Sequence, residues 1–219
     1  MKQTSKAFLG ALMAALALSA AIASAAQAAP EFSAKEYPAF VKGVHVGPVA
    51  MTEFGGITCE EGTYQGVLSK LSTTLTLEPS YKKCKSQGFP VTYFWNGCDY
   101  LLHLKEKTGV SNYKGSFDFA CPAGKVIEAK AYSDEAHTKQ TCRLTIAPQS
   151  GLLTVTYTNF KEGAQKKIEM GFEVKKIVYN QEGSFCPTLK GENAVLEGLV
   201  KLSGQDAEVN PIDLEIVGE

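Results

Sequence analysis

The sequence is poor in the residues that mark binding sites for charged partners. Arg143 is the only arginine among 219 residues, and there are three histidines. Lysine and arginine together number 22 against 23 aspartate and glutamate residues, which gives a formal net charge of -1 at pH 7. Such a chain lacks the basic surface of a nucleic-acid-binding protein and the polybasic patch that holds a protein on anionic lipid. We therefore predict neither nucleic acid nor a membrane surface as a partner.

The local motifs of common enzymes are also missing. The sequence contains no G-x-S-x-G elbow, no H-E-x-x-H pair and no D-x-D-x-D-G calcium loop. The absence of any C-x-x-C pair argues against zinc ribbons and thioredoxin-like redox sites. We predict no catalytic residue, no metal site and no cofactor. A hydrolase whose carboxylates meet only in the folded chain stays open, because such a pair is spatial.

The longest apolar run begins the chain, and no second run approaches the length that spans a membrane. Lys2 and Lys6 precede the apolar residues 8–22, and Ala26-Gln27-Ala28 fits the pattern read by signal peptidase. About 15 apolar residues fall short of the ~20 that span a bilayer. We predict that residues 1–28 are a signal peptide and that the mature chain is secreted, extracellular and without a membrane span. A retained anchor is the rival interpretation.

Six cysteines lie beyond the predicted signal peptide, and an even number in an exported chain implies disulfides. Six cysteines allow 15 pairings. Cys84 with Cys98 and Cys121 with Cys142 are favoured, because these neighbours would close short loops of a sheet. Cys59 with Cys186 then follows by elimination.

Strand patterns dominate the mature chain. Residues 153–157 alternate apolar residues with threonine, the period of a half-buried strand. Similar stretches are 75–77, 91–95, 100–104, 115–119, 144–146, 168–179, 195–202 and 212–217. Ten to twelve strands divided by Gly and Pro predict an all-β fold, an antiparallel β-sandwich or barrel stapled by disulfides.

Turn signals separate these strands, and we place breaks at 78–80, 88–90, 96–97, 122–124, 148–151, 162–163 and 181–183. Residues 133–140 are the one candidate for a helical turn. We divide the mature chain into residues 29–50, an N-terminal arm and first strand, and residues 51–219, a single all-β domain. The arm is expected to be loosely held over residues 29–40.

The stretch YFWNGCDYLLHL, residues 93–104, gathers side chains typical of thiol hydrolases and metal sites. On a strand, Cys98 and His103 point to opposite faces because they are five residues apart. Asp99 and His103 share a face but lie ~13 Å apart at ~3.3 Å per residue. We therefore predict that Cys98 is half of a disulfide and that Asp99 and His103 share no chemistry.

Aromatic residues give the one positive hint of a ligand. Tyr93, Trp95 and Tyr100 crowd one hairpin, where they could stack on sugars or pack the core. Our leading prediction is a secreted, non-enzymatic protein of unknown ligand that acts as a surface or binding module. The alternatives are a module for cell-wall or environmental glycans that uses exposed aromatics, and a secreted hydrolase.

Several short segments carry a family resemblance: 57–59, 81–84, 88–90, 96–103, 142–144, 157–159 and 185–187. Through these motifs, most of the mature length resembles a family of uncharacterised secreted, cysteine-containing, β-rich proteins of soil actinobacteria. The resemblance implies export, disulfides and a β-rich body. It brings no activity, ligand or catalytic residue to transfer.

Overall fold

Residues 29–52 and 56–218 are described by a computed structural model, and strands are the only regular elements among them. The strands are β1 (Glu31–Ala34), β2 (Ala39–His45), β3 (Val49–Thr52), β4 (Ile57–Leu68), β5 (Thr74–Ser86), β6 (Phe89–Phe94), β7 (Asp99–Lys107), β8 (Asn112–Ala120), β9 (Ile127–Tyr132), β10 (Gln140–Ile146), β11 (Gln149–Glu162), β12 (Gln165–Gly183), β13 (Leu189–Gln205), β14 (Pro211–Ile212) and β15 (Leu214–Val217). The described part contains no helix that could cross a membrane. The predicted signal peptide lies outside the described residues.

The strand pairings close into two rings, all of them antiparallel. The lower ring runs β4-β5-β7-β8-β11-β12-β13-β2 and returns to β4. The upper ring runs β4-β5-β6-β9-β10-β12-β13-β3 and also returns to β4. The predicted antiparallel, disulfide-stapled all-β fold is confirmed.

Four long strands, β4, β5, β12 and β13, belong to both rings. The longest, β12, has 19 residues and spans ~60 Å at ~3.3 Å per residue. The shorter strands therefore lie end to end, with β2, β7, β8 and β11 below and β3, β6, β9 and β10 above. At one junction, the side-chain amide of Gln149 donates to the Val178 carbonyl and accepts from the Val178 N–H. This pair supports β12 where its neighbour changes from β11 to β10.

The lower ring is filled by side chains and closed at its end. The largest side chains that are fully buried include Tyr64, Tyr100 and Met170, which point into this ring. The β1–β15 ladder covers the open end and buries Phe32, Leu214 and Ile216 almost completely. The expectation of a loose arm was therefore wrong, because β1 pairs with the last strand and its one inward aromatic joins the core.

Hydrogen bonds from side chains to the backbone hold the β1–β15 ladder, which we call the plug, at the end of the lower ring. The Asn159 amide both donates to the Ile216 carbonyl and accepts from the Ile216 N–H, at 2.7 and 2.8 Å. The Tyr113 hydroxyl donates to the same carbonyl. Gln165 donates to the carbonyls of Gly204 and Ile212. The lower end of the molecule is thus closed by satisfied polar groups as well as by apolar packing.

All six cysteines are bonded, but the predicted pairing was wrong. The disulfides are Cys59–Cys84, Cys98–Cys121 and Cys142–Cys186. Cys59 lies directly opposite Cys84 in the β4–β5 ladder, and Cys98 precedes the Asp99–Ala120 pair of β7 and β8. The error came from pairing across β5 and β6, where Val91 and not Cys98 faces Cys84.

Several predicted turns also fall inside strands. Residues 78–80 lie within β5 and residues 181–183 within β12. Pro79 is tolerated because β5 pairs with β7 below it and with β6 above it, so this stretch has a partner on one side only. The Asn96-Gly97 turn is confirmed, with positive φ at both residues. Residues 133–139 form a loop and Gln140 begins β10; the loop is organised by the Asp134 carboxylate, which accepts from two backbone N–H groups.

Candidate functional site

No described strand covers the end of the upper ring, and a cavity of about 500 Å³ opens there. Side chains from seven strands, from the turn residue Gln87 and from the loop 184–188 line it. The lining residues are Ile57, Ser86, Gln87, Phe89, Val91, Ala129, Ala131, Thr141, Cys142, Leu144, Tyr179, Gln181, Phe185, Cys186, Pro187 and Leu189. None of them carries a charge. The cavity is therefore suited to an uncharged ligand.

Small residues leave this space open. Ile127, Ala129 and Ala131 are the inward residues of β9, and at the two alanines larger side chains would fill the ring. Gly191 faces Tyr179 across the β12–β13 ladder, and a Cβ at Gly191 would come within 1.9 Å of the Tyr179 hydroxyl. The Tyr179 ring therefore lies over Gly191 against the wall, which keeps it out of the centre of the cavity.

Two buried polar side chains, Thr141 and Gln181, face the cavity. Thr141 is the extra residue of a bulge in the β9–β10 ladder, so Thr141 and Cys142 both face inward despite being consecutive. The Thr141 hydroxyl donates to the Ala131 carbonyl at 3.1 Å. The Gln181 amide nitrogen donates to the Pro187 carbonyl at 3.1 Å. Its oxygen, Oε1, is buried and has no hydrogen-bond partner in the described part of the chain.

The loop 184–188 stands at the cavity mouth and is tied down in three ways. Cys186 is bonded to Cys142 of β10, the Phe185 N–H donates to the Thr141 carbonyl, and Pro187 accepts from Gln181. The Phe185 side chain is nevertheless 73% exposed. Its ring lies 6.2 Å from the ring of Phe89, centroid to centroid. An apolar pair therefore borders the entrance.

The cluster at residues 93–104 is divided by the fold. Cys98 is fully buried in its disulfide. His103 Nε2 lies 2.9 Å from the Asp118 carboxylate of β8, and not against Asp99. The other Asp118 oxygen accepts from the Gly151 N–H at 2.7 Å. No local sequence signal points to Asp118, because it meets His103 only through the β7–β8 ladder.

The three candidate stacking aromatics turn toward the inside of the molecule. Tyr100 is 2% exposed, and its hydroxyl joins a chain with Tyr81 and Tyr64 at 2.8 and 2.9 Å. The half-buried rings of Tyr93 and Trp95 stack on each other, 5.5 Å apart and 11° from parallel. Burial raises the pKa of Tyr81 to about 12, so these hydroxyls stay protonated. A glycan-stacking role for this group stays a prediction.

Within residues 29–52 and 56–218, no group of three or more His, Cys, Asp and Glu side chains is placed to hold a metal ion. Comparison of the chain with protein-family models, with curated proteins and with solved structures finds no match in any of the three. The resemblance to an actinobacterial secreted family stays a prediction. The geometry of the cavity is therefore the best guide to function.

Proposed function

We propose that the protein is an exported, non-enzymatic binding module that takes a small, uncharged and largely apolar molecule into the upper ring. The observation that carries this proposal is the cavity of about 500 Å³ at the end of the upper ring, which no described strand covers. Ligand pockets fall within ~300–1,000 Å³ and are lined mostly by apolar side chains. Rings of about eight strands have room for one small ligand.

The contrast between the two rings supports this proposal. Both have eight strands, yet the lower ring is filled by large side chains such as Tyr64 and Met170. The upper ring instead presents Ala129, Ala131 and a Tyr179 ring lying over Gly191. Native interiors are close-packed, and a large apolar space in one of them loses dispersion contacts unless something fills it. A ligand would supply the missing contacts.

Export is the second part of the proposal. The three disulfides are consistent with an extracellular location, where such bonds persist. The signal-peptide pattern of residues 1–28 supports the same location. The hydrolase alternative gains no support from the cavity, because none of the lining residues that the structure describes is a carboxylate.

A fluorescent probe tests the binding function. N-phenyl-1-naphthylamine is uncharged and apolar, and its emission rises when it leaves water. We expect saturable binding of one probe molecule by the purified, disulfide-bonded protein. The Ala131→Phe variant, which fills the cavity, should lose this signal and keep its melting temperature. Ala207→Phe, an exposed turn position, is the matched control and should bind as the parent does.

Two results would refute the proposal. One is the absence of saturable binding by the folded parent protein. The other is undiminished binding by a folded Ala131→Phe variant, which would place the probe outside the upper ring.

A further inference from the structure

We infer that the ligand of the upper ring is a neutral hydrogen-bond donor, an alcohol, phenol or N–H compound, whose donor meets Gln181 Oε1. This inference rests on the proposed function and names the chemical class that the cavity selects. It depends on which polar atoms face the cavity and which of them are already engaged.

The orientation of the Gln181 amide is fixed by its neighbour. The amide approaches the Pro187 carbonyl, which can only accept a hydrogen bond. The amide nitrogen must therefore face Pro187, since the reversed amide would set two oxygens against each other. Oε1 is consequently the free atom, and Gln181 is 4% exposed.

A buried acceptor without a partner is costly, and a carbonyl oxygen in this position is rare in native proteins. Oε1 has less than 1 Å² of accessible surface, so water does not satisfy it as the side chain stands. A ligand that fills the cavity and draws the Gln181 amide toward it supplies the missing hydrogen bond if it carries a donor, and leaves Oε1 unsatisfied if it does not.

Thr141, the second buried polar side chain, also presents a hydrogen-bond acceptor to the ligand. The Thr141 hydroxyl hydrogen is committed to the Ala131 carbonyl, so its oxygen presents lone pairs. Both buried polar side chains among the described lining residues thus present acceptors, and none of these residues is Lys, Arg or His. A carboxylate or phosphate ligand would meet two acceptors and no cation, which excludes anions by desolvation and repulsion.

Three naphthalene compounds of similar size test this selection by displacing N-phenyl-1-naphthylamine. The compound 1-naphthol has a donor, 1-methoxynaphthalene has only an acceptor, and 1-naphthoate is an anion. We expect 1-naphthol to displace the probe at a concentration roughly fivefold to tenfold lower than 1-methoxynaphthalene, the effect of one net hydrogen bond. The anion should displace it least.

The variant Gln181→Met keeps the length of the side chain and removes the acceptor. We expect it to reduce the preference for 1-naphthol over 1-methoxynaphthalene to less than about twofold. Loss of the hydrogen bond to Pro187 could loosen the loop, but this would weaken the binding of both compounds alike. The ratio of their displacing concentrations therefore reports the effect of the acceptor alone. Gln65→Met changes the same residue type at an exposed position of β4 outside the cavity lining and should leave the ratio as in the parent.

The outcomes separate the two proposals. If neither the probe nor any naphthalene compound binds, the binding function itself fails. If the compounds bind but 1-naphthol has no advantage, or if Gln181→Met keeps that advantage, the function stands and the role of Gln181 is refuted.

Discussion

Enlarging a buried alanine should have opposite effects in the two rings. Ala129 faces the upper cavity and is 3% exposed, whereas Ala39 faces the filled lower ring and is fully buried. Ala129→Leu adds three carbons to empty space, for which transfer alone offers ~0.8 kcal/mol each. The cavity is open to solvent, so we expect about half of that, a gain of about 1 kcal/mol.

A gain of this size should raise the melting temperature by about 2–4 °C for a chain of this length. Ala39→Leu forces the same three carbons into close-packed side chains, which costs ~1–3 kcal/mol. The assay is thermal unfolding of both variants beside the parent, with probe titration of each. Ala129→Leu should also weaken the binding of N-phenyl-1-naphthylamine, because the leucine side chain occupies the space that the probe needs.

The reasoning would be refuted if Ala129→Leu destabilised the protein as much as Ala39→Leu does. That result would mean that side chains already fill the upper ring of the protein in solution. A stabilised Ala129→Leu variant with undiminished probe binding would retain the cavity but place the ligand elsewhere.

Three further predictions concern the rest of the molecule. Burial lowers the pKa of His45 from its usual 6.5, so the unfolded chain takes up this proton first as the pH falls. Stability should therefore fall as the pH drops below 6.5, and urea unfolding of His45→Phe should show a smaller loss; an equal loss would contradict the role of this imidazole. Replacing both Cys142 and Cys186 by serine should cost about 4 kcal/mol, the loop-closure value for a separation of 44 residues, and should also weaken probe binding; intact affinity in a folded variant would show that the loop does not shape the entrance. Tyr81→Phe removes the central hydroxyl of the tyrosine chain and should lower the free energy of unfolding by ~1–3 kcal/mol, because two buried hydroxyls lose a partner; a neutral result in denaturant titration would show that the chain adds nothing.

Local alternation was enough to predict the class of fold. Residues 153–157 read as a strand and lie in β11, and Asn96-Gly97 reads as a turn and forms one. The hairpin expected at this turn was wrong, because β6 and β7 both pair with β5 and not with each other. Residues 31–68 were largely missed as strands, because glycines and polar residues weaken the pattern of β2 and β4. The reason is visible at Gly66, where a Cβ would come within 2.3 Å of the Thr76 carbonyl oxygen. Glycine is required at such positions by close packing between strands, and a local sequence pattern does not reveal this packing.

The candidate site could not be predicted from the sequence. Gln181 was assigned to a turn, and no strand was predicted for Ala129 and Ala131 of β9. These residues meet only because β10 pairs with β9 on one side and with β12 on the other. The pairing of the cysteines failed for the same reason, since it depends on which strands are neighbours. Such contacts between distant parts of the chain are set by the closure of the rings.

Both rings contain β4, β5, β12 and β13, so no flexible boundary divides the described part of the chain into two units. A cut through any of these strands removes hydrogen bonds from both halves, so neither half forms a separable unit for proteases or for recombination of gene segments. Opening of one half must strain the other through the same four backbones. Occupancy of the upper cavity is therefore expected to slow amide hydrogen exchange as far away as the β1–β15 plug. We therefore expect the two rings to unfold together in one cooperative transition.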